Sequence, residues 1–126
     1  MATPRLESVS PILSVGDLPQ AIAFYREAMG FDLAWSWGTP PDIAAVCRDQ
    51  VEITLTCQPG AKPPGASHLY LRTADVDACW ARAQQAGAQV IVPIADRPYG
   101  LRDFRIADPS GNALSIGQVL KDFGTH

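Results

Sequence analysis

The sequence predicts an α+β domain built from two βαβββ modules, and the main reason is an internal repeat. Residues 10–18 align with residues 68–76, with the same spacing from a short apolar strand to an aspartate. Asp17 and Asp75 each begin a helical pattern, and three extended stretches follow each helix. A repeat of about sixty residues within one chain indicates a duplicated unit.

The composition is typical of one globular domain. The chain has 126 residues, of which 47% are hydrophobic and 18% charged, with a net charge of −3. A nucleic-acid partner needs a clustered basic face, which a chain of this charge does not favour. No apolar run approaches the length of a membrane span, and the first residues lack the layout of a signal peptide. We therefore expect a cytoplasmic protein with no nucleic-acid or membrane partner.

The cysteines favour neither a disulfide framework nor a thiolate zinc site. There are three of them, Cys47, Cys57 and Cys79, and no two have the C-x-x-C spacing. Three reduced, partly buried thiols are the expected state.

The first helix carries signals at both of its ends. Asp17 suits the N-cap, Gln20 follows at the capping-box position, and Pro19 is tolerated in the first turn. Gly30 can adopt the left-handed conformation that ends a helix. One face of this helix is predicted to be buried, and it carries Leu18, Ile22, Tyr25 and Met29.

Extended stretches and turns complete the predicted modules. The strands of the first module are expected at 31–37, 42–48 and 51–57, and those of the second at 88–95, 102–107 and 112–118. A segment rich in proline and glycine reads as an exposed linker. The predicted organisation is one domain, 1–126, that contains a first module at 6–57, a linker at 58–65 and a second module at 66–119.

Two segments resemble the vicinal oxygen chelate superfamily, which includes glyoxalases, bleomycin resistance proteins and extradiol dioxygenases. Residues 17–31 are similar to its opening motif D-L-x-x-(S/A)-x-x-F-Y-x-x-x-L-G-F. Residues 99–112 are similar to its closing motif W-G-x-R-x-F-x-x-x-D-P-x-G-N, with Tyr99 in place of tryptophan. The resemblance, which is closest to the bleomycin-resistance branch, implies that the two modules form a half-barrel cleft. It leaves function open, because the superfamily includes both enzymes and metal-free drug binders.

Parts of both motifs also have a structural interpretation. The segment Asp108–Asn112 forms a good turn by its own chemistry, and a structural role is favoured over ligand contact. Tyr25 is likewise expected in the core.

The resemblance implies four metal-ligand positions, usually His, Glu, His and Glu. The internal repeat transfers them to Ser10, Glu52, His68 and Ser115. Two of the four are therefore serine, and a neutral hydroxyl is a poor ligand beside carboxylate or imidazole. We expect no metal cofactor; the alternative is a divalent transition metal on Glu52 and His68. Without a metal, His68 is expected to be a hydrogen-bonded residue of the cavity wall, and direct pairing with Glu52 is one option.

Relatives without the metal set bind flat, bulky antibiotics in clefts at or near a homodimer interface. Trp35 and Trp37 lie two residues apart on a predicted strand and therefore share a face. They are suited to stacking against such a ligand. The alternative is that both are core or dimer-interface residues.

The closing motif adds candidates from the second module. Tyr99 and Phe104 are expected on the matching side of the cleft, with Arg102 between them to stack on or pair with the ligand. The alternative for Arg102 is a surface salt bridge with Asp103 or Asp108.

The sequence thus favours a dimeric protein that binds an aromatic drug or metabolite by sequestration, without a metal and without catalytic residues. The mild net charge of −3 argues against a dedicated binder of cationic bleomycin. The main alternative is a metal-dependent lyase, isomerase or dioxygenase with Glu52 as base; a regulatory binding module is a third. The predicted ligand-binding residues are Trp35, Trp37, Glu52, His68, Tyr99, Arg102 and Phe104.

Overall fold

The structure, a computed structural model, describes residues 3–120; residues 1, 2 and 121–126 of the predicted domain lie outside the described part. The first module consists of β1 (Ile12–Ser14), α1 (Leu18–Met29), β2 (Asp32–Gly38), β3 (Pro41–Arg48) and β4 (Val51–Thr56). The second consists of β5 (His68–Arg72), α2 (Val76–Gln85), β6 (Gln89–Asp96), β7 (Leu101–Ala107) and β8 (Ala113–Val119).

Each module contains one four-stranded mixed sheet. The strand order is β1-β4-β3-β2 in the first sheet and β5-β8-β7-β6 in the second, so the two modules have the same topology. The pairs β1–β4 and β5–β8 are parallel, and the remaining pairs are antiparallel. The predicted α+β fold of two βαβββ modules is confirmed.

Helix ends follow the predicted chemistry. The side chain of Asp17 accepts a hydrogen bond from the backbone N–H of Gln20 at 3.0 Å, and that of Asp75 accepts from the N–H of Ala78 at 3.1 Å. Gly30 ends α1 with φ of 71°, the left-handed conformation that a residue without Cβ adopts at little cost. These caps fix where each helix starts above its sheet.

Each helix packs on one face of its own sheet, and the two helices also contact each other. The core combines apolar residues of the helices with those strand residues that point towards them. Because strand side chains alternate, the neighbouring strand residues point to the opposite side, where no described helix packs. We call this side the open face of each sheet. The first open face carries Trp35, Trp37, Glu52, Thr54 and Thr56; the second carries His68, Tyr70, Asp103, Arg105 and Ser115.

The two motif segments meet at the junction of the modules. The buried Tyr25 hydroxyl donates to Asp108 Oδ2 at 3.0 Å. Asn112 Nδ2 donates to the same oxygen at 2.9 Å and to the backbone oxygen of Ser14 at 3.0 Å. Burial, followed by the charge and hydrogen bond of Asp108, raises the pKa of Tyr25. Tyr25 and Asp108 thus hold the modules together, in agreement with the structural interpretation of the motifs.

Across residues 3–120, neither helix has the length and apolar character needed to cross a membrane.

Candidate functional site

Two tryptophans dominate the first open face. Trp35 lies opposite Ala45 and Trp37 opposite Ile43 in the antiparallel pair β2–β3. The pairing of β2 with β3 shifts register between Leu33 and Trp35. After this shift, Trp35 and Trp37 lie on the side of the sheet opposite to Leu33, so that both indole rings point away from α1. The exposed fractions are 43% for Trp35 and 72% for Trp37. The tryptophans therefore share a face, as their spacing predicts, and lie outside the core of the protomer.

Glu52 lies on the same open face and accepts a hydrogen bond from a residue of its own module. The Ser10 hydroxyl donates to Glu52 Oε2 at 3.2 Å. Ser10 and Glu52 are the two positions of the first module that correspond to metal ligands in the superfamily. They are close together because β4 pairs with β1, which places Glu52 beside the segment that leads into β1.

The corresponding residues of the second module, His68 and Ser115, are also hydrogen-bonded to each other. His68 Nε2 lies 2.8 Å from Ser115 Oγ, and Arg105 Nε donates to the same Ser115 oxygen at 3.1 Å. The direct pairing of His68 with Glu52 is not found. The physical reason for this difference is the topology, because His68 and Glu52 belong to different sheets and each is hydrogen-bonded to the serine of its own module.

The metal-binding set of the superfamily is not assembled in the protomer. Within the described part of the chain, no group of three or more His, Cys, Asp or Glu side chains is close enough to hold a metal ion. Each module supplies one strong ligand, Glu52 or His68, and that ligand is hydrogen-bonded to a serine. Within one protomer, a single carboxylate and a single imidazole in separate sheets supply too few ligands in one place for a divalent transition metal.

A carboxylate on the second open face organises three long side chains. The hydroxyls of Tyr70 and Tyr99 each donate to Asp103 Oδ2 at 2.7 Å, and Arg97 Nε donates to Asp103 Oδ1 at 2.8 Å. Burial alone would raise the pKa of Asp103. Hydrogen bonds from Arg97, Tyr99 and Tyr70 outweigh burial, and the pKa lies below its usual value. Asp103 is therefore ionised at neutral pH.

The two phenols attached to this carboxylate remain protonated. Burial and the bond to Asp103 raise the pKa of Tyr70, and the bond to Asp103 followed by burial raises that of Tyr99. Their exposed fractions are 42% and 55%, so both rings are accessible. The second open face thus offers two aromatic rings with fixed hydroxyl groups.

The structure corrects the expected placement of Arg102 and Phe104. Along β7 these residues alternate with Asp103 and therefore point towards α2, away from Tyr99. Arg102 pairs with Asp77 at 2.9 Å and with Asp96 at 3.0 Å, rather than with Asp103 or Asp108. The Phe104 ring is buried against Trp80, in an edge-to-face contact with centroids 5.0 Å apart. The physical reason is that α2 covers this face and supplies Asp77 to Arg102 and Trp80 to Phe104, while Asp96 comes from β6.

Four residues of the second open face were missed in the sequence: Tyr70, Arg97, Asp103 and Arg105. Three of them had a signal. Tyr70 lies two residues after His68 on one strand, and Asp103 and Arg105 lie on either side of Phe104. Once Phe104 is a core residue, the period of a strand assigns its two neighbours to the opposite side.

The chain matches the family model described as the glyoxalase/bleomycin resistance protein/dioxygenase superfamily over residues 5–116. Among solved structures it is similar to TnmS3, an antibiotic binding protein from Streptomyces sp. CB03234. The two are 31% identical, with a TM-score of 0.79, and the match covers 93% of this chain and 99% of TnmS3. A glyoxalase/bleomycin resistance protein from the same strain is 33% identical, with a TM-score of 0.73, over 86% of this chain and 97% of that one.

Other matches show the fold alone or cover part of the chain. TioX from Micromonospora sp. ML1 has a TM-score of 0.81 at 20% identity, over 90% of this chain and 99% of TioX. An uncharacterised protein of Mycobacterium tuberculosis strain H37Rv is 39% identical over 54 residues, which is 43% of this chain and 32% of that protein. An uncharacterised protein of Mycobacterium bovis matches at the same identity, over 36% of its length. The chain thus matches about a third of the length of these curated relatives.

Proposed function

The chain belongs to the glyoxalase/bleomycin resistance protein/dioxygenase superfamily, and from this we propose that it binds a small aromatic drug or metabolite and acts by sequestration. The exposure of Trp35 and Trp37 side by side on one open face carries the proposal. Large aromatic side chains are costly to leave in water, and an exposed group of them marks a surface that binds something. Stacking against a flat ring is the use that two exposed indoles on one face suit best.

The relationship to TnmS3 supports this ligand class. TnmS3 is an antibiotic binding protein, and it is similar to this chain over almost the full length of both. On this basis we expect a drug-like aromatic molecule to be among the ligands.

The proposed binding unit is a homodimer with its clefts at the interface. Among the described residues, no helix covers either open face. The charges of the two faces are complementary: the first carries Asp32 and Glu52, and the second carries Arg72 and Arg105 beside the Arg97–Asp103 ion pair. A two-fold axis that sets the first open face of one copy against the second of the other joins unlike charges. The ligand then lies between the tryptophans of one protomer and the tyrosines of its partner.

Binding is proposed to need no metal and no catalytic residue. The serines at two of the four superfamily metal positions, bonded to Glu52 and His68, support this mode. Arg102 and Phe104 are not part of the proposed site, because they face α2.

Tryptophan fluorescence tests the proposal. We expect flat aromatic antibiotics to quench the emission of the protein. The affinities of the variants are measured by equilibrium dialysis, because the double variant Trp35→Phe/Trp37→Phe lacks the quenched fluorophores. We expect this variant to lose roughly 10-fold or more in affinity, since stacked aromatic anchors dominate such sites. Trp80→Phe is the matched control, because Trp80 packs on Phe104 away from the open faces. Its affinity should be unchanged, as should that of wild type after dialysis against EDTA. An affinity that needs added metal, or one unaffected by the double variant, would contradict the proposal.

A further inference from the structure

The positions of protons on the second open face restrict what the site recognises. A phenol has one proton to donate and lone pairs with which to accept, whereas an ionised carboxylate only accepts. Tyr70 and Tyr99 both lie 2.7 Å from Asp103 Oδ2, so each hydroxyl proton is directed at that oxygen. Neither phenol has a second proton to give to a ligand.

Asp103 is held in the state that fixes this arrangement. Arg97 donates to its other carboxylate oxygen at 2.8 Å and also to its backbone oxygen at 3.0 Å. A guanidinium remains charged at any working pH and stabilises the carboxylate beside it. The side chain of Asp103 is only 8% exposed, so water does not replace these partners.

The two phenol oxygens form one acceptor pair. Because both lie at 2.7 Å from the same atom, they are no further apart than twice that distance. Both residues are about half exposed. In the part of the chain that the structure describes, each hydroxyl donates to Asp103 and accepts from no protein donor, so each oxygen keeps lone pairs with which to accept from a ligand.

We infer that the ligand of this site is a planar aromatic molecule that presents two neighbouring hydrogen-bond donors, hydroxyl or N–H groups, to the oxygens of Tyr70 and Tyr99. The inference rests on the function proposed above and names the ligand class. A ring that carries acceptors at these positions, such as a quinone or an ether, would leave two lone pairs facing two lone pairs and bind more weakly.

A pair of matched probes tests the ligand class. Naphthalene-2,3-diol has two adjacent donors, and 2,3-dimethylnaphthalene replaces them with groups of similar size that do not hydrogen-bond. The affinities of both are measured by equilibrium dialysis for wild type and for Tyr70→Phe/Tyr99→Phe, which keeps the rings and removes the acceptors. The ratio of the two affinities cancels the apolar contribution of the naphthalene ring.

We expect the preference of wild type for the diol to fall about 10-fold in the double variant, in line with the loss of two hydrogen bonds. Tyr99→Phe alone, at the more exposed position, should lose part of it. An equal preference in wild type and double variant would overturn the inference and leave the proposed function standing. Failure of both probes to bind a wild-type protein that binds flat aromatic antibiotics would overturn the inference alone, and failure of the probes and the antibiotics alike would overturn both.

Discussion

The identity of residue 117 is set by the ring of Tyr70. A Cβ added to Gly117 would collide with the Tyr70 hydroxyl and lie 2.7 Å from Cζ of the same ring, closer than non-bonded carbon atoms approach. The backbone of Gly117 is not in the left-handed region, so space and not conformation requires glycine here. Gly117 thus lets Tyr70 lie flat on β8 and reach Asp103.

Gly117→Ala should therefore destabilise the protein by about 1–3 kcal/mol, the usual cost of overpacking. Gly16→Ala is the control, because the nearest atom to its added Cβ is Ser110 Oγ at 4.0 Å, an ordinary contact. Urea unfolding of the two variants beside wild type measures the difference. Equal stability of both variants would mean that Tyr70 moves aside freely.

At the scale of elements, α1 and the turn between β7 and β8 are joined by one buried hydrogen-bonded group. Asp108 Oδ1 accepts from the backbone N–H groups of Ser110 and Asn112, both at 2.9 Å, which shapes the turn. Its Oδ2 accepts from Tyr25 on α1. The second-module turn is therefore fixed against the first-module helix.

Tyr25→Phe removes the bond between these elements without changing the ring. A buried carboxylate oxygen loses one of its donors, and we expect a loss of about 1–3 kcal/mol in unfolding free energy. Tyr99→Phe makes the same chemical change at a phenol that is more than half exposed, and should cost less. Scanning calorimetry compares the two; a larger shift of the melting temperature for Tyr99→Phe would contradict this account of the junction.

At the scale of the whole molecule, we expect the open faces to determine the oligomeric state. Besides the aromatic residues, the chain that leads into β1 exposes apolar side chains, with Leu6 at 93%. Surfaces of this kind are expected to be covered by another chain.

We expect sedimentation equilibrium to give the mass of a dimer. Trp37→Lys should shift the equilibrium towards monomer, because it places a positive charge in the proposed interface, against the arginines of the opposing face. Ala81→Lys, on the exposed side of α2, puts the same charge elsewhere and should leave the dimer intact. A wild-type protein that sediments as a monomer at every concentration would contradict the proposed arrangement of the clefts.

The sequence by itself determined the repeated βαβββ order of elements, the helix ends and the pair of tryptophans on one face. Each follows from interactions between residues close in the chain: Asp17 caps its own helix, Gly30 ends it, and alternation places Trp35 and Trp37 together. These local interactions do not depend on how distant segments of the chain pack.

Only the tertiary structure decided which face of β7 is covered and which side chains meet on the open one. Strand alternation places Arg102 and Phe104 on the same face of β7, but it is the packing of α2 that covers this face. Tyr70, Asp103 and Tyr99 come from β5, β7 and the turn before β7, and their meeting depends on the register of β5 with β8 and of β8 with β7. Register between distant strands is a property of the packed sheet, and no short stretch of sequence contains it.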